Sequence, residues 1–297
     1  MLVSLAGVIS LTFLLVHIVP GDPVDLMLGE QAPAADKDRL RQDLGLLDPL
    51  PIQFVHYLKN LSHLDLGRSL RTRFPVFDEI AEHFPATAEL ALASLTLALF
   101  WGLPLGVWSA VGYRTWRDRL ATTIALVGMS VPGVFLGPLL IYFFAIRLDW
   151  LPVSDRGGLE HLILPALSLA LPLGAVISRM TKASVLEVLR EDYMRTARAK
   201  GVGTLRLYFH HALRNALVPI VTIVGLQLGA LLTGTVITET VFDWPGVGTL
   251  LFSAIQSRDY PLVQGCVLFV ACIYVLVNLG TDILYGVVNP RVRGDRA

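Results

Sequence analysis

Six apolar stretches constrain this chain more than any other feature: residues 2–19, 87–112, 120–146, 161–181, 215–238 and 262–287. A helix rises 1.5 Å per residue, so about 20 apolar residues cross the roughly 30 Å of hydrocarbon in a bilayer. Only a helix keeps every backbone hydrogen bond inside one such segment. The expected fold class is therefore all-α, a polytopic membrane protein of six transmembrane helices. Composition agrees: 54% of the 297 residues are hydrophobic and 16% charged, against about 25% charged in soluble domains. A surface so poor in charge needs lipid as its solvent. The formal net charge is zero, which offers no attraction to nucleic acid.

The first stretch, 1–19, reads as a retained membrane helix. No basic residue precedes it, and Pro20-Gly21-Asp22-Pro23 after it offers no small-residue cleavage site. Residues 20–86 read as an external helical insert, too charged for lipid, with helical pieces near 36–45, 50–64 and 78–82. Residues 87–297 hold the other five spans and a basic loop, 182–214. Arg114, Arg117 and Arg119 follow the second span, Lys182 to Arg214 follow the fourth, and Arg291, Arg293 and Arg296 close the chain. The loops on the other side, 147–160 and 239–261, carry Arg147, Arg156 and Arg258 against a greater number of carboxylates. The positive-inside rule then puts both termini and the 182–214 loop in the cytoplasm, and the insert outside.

Within that loop two helical pieces flank Gly201, a residue free to take positive φ. Arg198 and Lys200 sit in the last turn before it, where a helix C-terminus favours cations. The second piece, Thr204 to Leu213, places Leu205, Tyr208, Phe209 and Leu213 at helical spacing. A helix–glycine–helix of this kind offers a soluble partner a stiff knob to grip.

The run Asp192-Tyr193-Met194-Arg195-Thr196-Ala197-Arg198-Ala199-Lys200-Gly201, followed by His211-Ala212-Leu213-Arg214-Asn215-Ala216-Leu217-Val218-Pro219, resembles the EAA loop of ABC importer permeases. The version is that of the dipeptide/oligopeptide/nickel family. Pro20–Pro23, Glu239 to Gly248, Arg258-Asp259-Tyr260-Pro261 and Asn289-Pro290-Arg291-Val292-Arg293 are similar to that family too, in the same order. The general pattern has Glu-Ala-Ala where this chain has Arg195-Thr196-Ala197. It has Ile-x-Leu-Pro where this chain has His211-Ala212-Leu213-Arg214; peptide-type members share both departures.

The resemblance implies a type I ABC importer permease fold in a bacterial inner (cytoplasmic) membrane. It implies a coupling loop of Glu191, Asp192, Tyr193, Arg195, Thr196, Ala197, Lys200, Gly201, His211 and Leu213 that seats in a nucleotide-binding subunit. The implied partners are a second, homologous permease subunit, two ATPase subunits that use ATP and Mg, and an extracytoplasmic solute-binding protein. The implied cargo is di- or oligopeptides, with glutathione or nickel complexes as alternatives. The chain has no G-x-x-x-x-G-K-[ST] loop, and no Gly-Lys pair at all, so no cofactor is expected on it and the engine must be a separate subunit.

Polar groups inside spans are functional candidates by default. The fifth span carries Gln227, Thr233, Thr235, Thr238 and, at its end, Glu239, read either as a translocation path or as bridges between helices. Trp244, Pro245, Gly246, Arg258 and Asp259 read either as an external gate meeting the binding protein, as the resemblance implies, or as an interfacial anchor. Gly102/Gly106, Gly133/Gly137 and Gly225/Gly229 are spaced for close helix packing. Asp282 is expected to pair with a loop arginine. No nucleophile–base pair or metal-ligand cluster points to an enzyme. No paired mid-membrane carboxylates point to a secondary transporter, the alternative class.

Overall fold

The computed structural model describes residues 2–18, 24, 31–43, 45, 47–203 and 206–288. Among these, α-helices account for every long element, and the sole extended pairing is an isolated bridge between Arg68 and Pro75. The helices are α1 (Leu2–Ile18), α2 (Ala34–Asp43), α3 (Leu50–Ser62), α4 (Val76–Val111), α5 (Trp116–Ser130), α6 (Gly133–Leu140) and α7 (Leu159–Val188). Then come α8 (Asp192–Ala199), α9 (Leu213–Gly234), α10 (Val236–Val241), α11 (Val247–Gln256) and α12 (Tyr260–Val288). Two π-helical pieces, Ile141–Arg147 and Arg206–Ala212, extend α6 and lead into α9.

Among the described residues, three unbroken helices are long and apolar enough to cross a membrane: Val76–Val111, Leu159–Val188 and Tyr260–Leu284. The third and fifth expected spans are each broken. Trp116–Ser130 and Gly133–Arg147 meet at 97°, and Arg206–Leu217 meets Pro219–Leu232 at 59°. Counting each bent pair as one crossing gives five, and the first expected span, 2–19, contains the shorter apolar helix Ser4–Leu14. Prolines cause the breaks. Val131, before Pro132, is driven to φ −85°, ψ 116°, out of the helical region. Pro219 supplies no N–H and crowds the preceding turn. Large apolar side chains on the helices face outward, Phe100 at 80% exposure among them, as a lipid-solvated surface requires.

Two compact units emerge: Met1–Pro85 with Gly246–Cys272, and Ala86–Pro245 with Ile273–Ala297. Residues 246–272, placed with the core in the sequence reading, thus pack with the insert. In the first unit α4 begins at Val76, absorbing the short helix expected near 78–82, and Val76 and Ile80 bury against Val247, Leu250, Val263 and Cys266. The expected 239–261 loop contains the helix α11, whose apolar face fills this core. Phe13 of α1 meets Phe54 of α3 edge-on at 5.1 Å.

The second unit is built on close helix contacts. A Cβ on Gly102 of α4 would lie 2.6 Å from the Gly174 carbonyl oxygen of α7, and one on Gly106 would lie 2.5 Å from that of Ser178. Gly225 and Gly229 of α9 instead face side chains of α12, those of Thr281 and Tyr274. Gly133 departs from its expected packing role, with nothing within 4 Å; only its partner Gly137 makes a contact, with Val241 and Phe242. Asp282 is exposed and forms no ion pair among the described residues.

Candidate functional site

The segment between α7 and α9 is shorter than the expected 182–214 loop, because α7 continues to Val188 and takes up the start of that loop. Leu189 ends α7, Glu191 at extended φ and ψ begins α8, and Asp192 and Arg198 occupy the ends of α8 that its dipole favours. Seven of the eight α8 side chains are exposed or half-exposed, and Met194 is wholly buried. Met194 packs with Val107 and Ala110 of α4, Val185 of α7, and Leu207, Ala212 and Ala216. One apolar side chain therefore plugs a charged two-turn helix into the ends of the long helices.

Gly201 terminates α8 in a Schellman motif. Val202 N–H donates to the Ala197 carbonyl (3.2 Å) and Gly201 N–H to that of Arg198 (3.0 Å), with Gly201 at φ +76°. Nothing lies within 4 Å of a Cβ placed there, so any side chain meets backbone strain rather than a clash. Tyr193 reaches across the segment, its phenol oxygen accepting a hydrogen bond from Asn215 Nδ2 at 2.8 Å. Partial burial raises that phenol above its usual 10.0, opposed by the Asn215 hydrogen bond and aided by the Glu191 charge, so it stays neutral at physiological pH.

Asp192, Arg195, Thr196 and Lys200 all face outward, Arg195 at 3.4 Å from Asp192, while Ala197 and Leu213 sit half-buried at the edge of the Met194 core. His211 gives its carbonyl to Asn215. The expected second helical piece is a π turn running into α9; Thr204 and Leu205 and the side chains of Phe209 and His210 lie outside the described residues. The reading of individual residues passed over Met194 and Asn215. The signal for Met194 was present: it is an isolated apolar residue among charged neighbours.

The residues read as a path or as inter-helix bridges divide. Gln227 lines a groove of about 260 Å³ with Leu169, Pro172, Val176 and Ala230. Thr235, Thr238 and Glu239 are buried around the α9–α10 joint. Glu239 Oε1 accepts from Thr87 Oγ1 at 2.8 Å and Thr235 Oγ1 at 2.9 Å, tying this joint to α4. The Thr233 side chain lies outside the described residues, as do Pro20–Pro23 and Asn289–Arg293.

The residues read as an external gate or an interfacial anchor also separate. Trp244 is 1% exposed, packed on Ala86, Leu90 and Ala166, with its indole N–H donating to the Ala86 carbonyl at 2.8 Å. Its indole is a core group and forms neither an interfacial anchor nor an outer surface in this conformation. Pro245 and Arg258 are exposed; Gly246, which is buried, caps α11. Asp259 is buried and caps α12, accepting from Leu262 N–H at 3.3 Å and from Ser69 Oγ at 2.5 Å.

Comparison with known proteins places this geometry. Residues 102–294 match the family described as binding-protein-dependent transport system inner membrane component, and residues 1–91 match its N-terminal companion. A glutathione transport system permease protein, GsiC, from Pectobacterium atrosepticum is 46% identical over 98% of this chain and 95% of its own. GsiC of Escherichia coli K12 is 46% identical over 95% of this chain and 92% of its own. Among solved structures, the inward-facing MetNI methionine ABC transporter aligns with a TM-score of 0.61 at 19% identity, covering 71% of this chain and 96% of that one. An amino acid ABC transporter solved with histidines aligns at 0.54 and 16% identity, covering 72% and 94%.

Proposed function

Because the chain belongs to the binding-protein-dependent inner membrane components, the permeases of ABC importers, we propose that α8 is the point at which a separate ATPase subunit drives it. The chain is the membrane-spanning permease subunit of an ATP-driven importer, a multi-pass inner-membrane protein, and hydrolysis belongs to other subunits. The observation that carries the α8 reading is its construction: an exposed polar face held by one fully buried anchor, Met194. A helix so held passes a push into α4, α7 and α9 as a rigid body, biasing a two-state equilibrium through contact energy.

In this reading α8 and both termini are cytoplasmic. The working complex holds a second permease, two ATPase subunits with ATP and Mg, and an external binding protein. The solute is a short peptide, with glutathione foremost, because relatives bearing that name share 46% identity over nearly the whole chain. Uptake of labelled glutathione by proteoliposomes of the complex with its binding protein and internal ATP tests the cargo. Uptake that dipeptides or nickel complexes outcompete moves the assignment to them. Uptake driven by a proton gradient without ATP overturns the mechanism.

Replacing Gly201 tests the segment itself. Gly201→Val forces a β-branched residue to positive φ, at about 1–2 kcal/mol or more of strain. The Schellman turn opens, and binding-protein-stimulated ATPase activity and uptake should part company. Gly201→Asn, which tolerates this conformation, should keep both coupled. A Val variant with parental uptake per ATP refutes the role of the turn.

A further inference from the structure

One buried ionic cluster lies outside the coupling, path and gate residues. Asp118, in the first turn of α5, is 8% exposed, and its carboxylate gathers four donors. Lys182 Nζ of α7 lies 2.5 Å from Oδ1, Ser109 Oγ of α4 donates to the same oxygen at 2.7 Å, and Arg114 N–H donates to Oδ2 at 3.1 Å. Thr122 Oγ1 adds a longer contact of 3.3 Å and itself accepts from Lys182 at 3.1 Å. Arg114, at φ +62°, sits in the tight turn between α4 and α5, so the carboxylate also closes that turn.

The location gives the cluster a task. Ser109 adjoins Ala110, and Lys182 lies one helical turn before Val185; Ala110 and Val185 are walls of the Met194 seat. The turn of α4 that receives Met194 therefore also receives Asp118, and the end of α7 does the same. Lys182 was expected only to report orientation, and Asp118 is hidden from that rule altogether. A lysine serving topology alone stays exposed, whereas Lys182 is mostly covered and engaged by a buried carboxylate.

We propose that Asp118 and Lys182 are positioning residues for coupling: they lock the starts and ends of α4, α5 and α7 together beneath α8, so that motion delivered through Met194 moves three helices at once. This rests on the reading of α8 as the coupling segment. Without the pair, α8 still docks, but the seat yields and the push is lost before it reaches the bent α5–α6 pair.

The test uses the full importer in proteoliposomes with its binding protein, measuring uptake of labelled glutathione per ATP hydrolysed. Asp118→Asn keeps the shape, and with its amide oxygen toward Arg114 N–H it keeps that hydrogen bond while its NH2 donates to Ser109 Oγ, but it removes the charge; Lys182→Met removes the other partner. Both should assemble with the ATPase subunits and retain its stimulated hydrolysis, while uptake per ATP falls roughly fivefold or more. The exchanged pair, Asp118→Lys with Lys182→Asp, should recover part of the loss. Parental uptake per ATP in Asp118→Asn and Lys182→Met, in a complex that Met194→Ala still uncouples, overturns the proposal and spares the α8 reading. Parental coupling in all three overturns both. Loss of uptake in strict proportion to loss of assembled complex makes the pair merely structural and also overturns the proposal.

Discussion

Gly102→Ala should remove most of the folded permease from the membrane, although it adds a single methyl group. That methyl would lie 2.6 Å from the Gly174 carbonyl oxygen and 3.2 Å from its carbonyl carbon, both backbone atoms that no rotamer change can move aside. α4 must then shift away from α7, and Trp101, which packs over Gly174 and donates to the Ala170 carbonyl, loses its seat. Overpacking of this kind costs about 1–3 kcal/mol, with more expected here because the helices meet again at Gly106. Thermal unfolding of the detergent-solubilised protein measures it. Gly133→Ala is the internal control, since it meets nothing within 4 Å and should leave the unfolding midpoint unchanged. Equal stability of the two variants would contradict the packing described.

Met194→Ala should produce the second large effect, on coupling rather than on insertion. Truncating a fully buried methionine costs about 2–5 kcal/mol. Here that loss falls on an eight-residue helix whose other side chains hold little buried surface. α8 should come away from α4 and α7 for much of the time, and uptake in proteoliposomes should drop at least about tenfold, since 1.4 kcal/mol is already a factor of ten. The long helices keep their own contacts, so the protein should reach the membrane at parental levels. Met194→Leu conserves volume and should keep most of the activity. A Met194→Ala variant with parental uptake would show that α8 is held by something other than its seat.

Much of this was legible in one sequence, and the reasons differ residue by residue. The spans follow from length and hydropathy, which need no partner. Gly201 announces a left-handed turn because only glycine enters that region without strain. The spacing of Gly102 and Gly106 announces a close contact, though not that α7 supplies it. What escaped were relations between distant positions. Asp118 reads as one more loop charge until folding brings Lys182 to it. Asp259 and Trp244 look like surface residues of a polar loop until Ser69 and Ala86 cover them. Glu239, at the end of an apolar stretch, reads either as part of a solute path or as a bridge between helices, and only folding shows the two threonine hydroxyls that bond it. The breaks at Pro132 and Pro219 were visible as prolines, but the size of each bend depends on packing that no local rule contains.

The 97° break between α5 and α6 also bears on how the chain enters the membrane. With 15 residues, α5 reaches only about 22 Å at 1.5 Å per residue, and the half that follows is no longer. Neither half spans the hydrocarbon alone, and the exposed helix ends at the break would burden any isolated intermediate. α7 supplies the missing support, lying along α5 from Lys182 to Leu171. Stable burial of α5 and α6 in lipid is therefore expected to await α7. Insertion of this region is then expected to be a delayed, collective step in which a later helix supports two earlier halves.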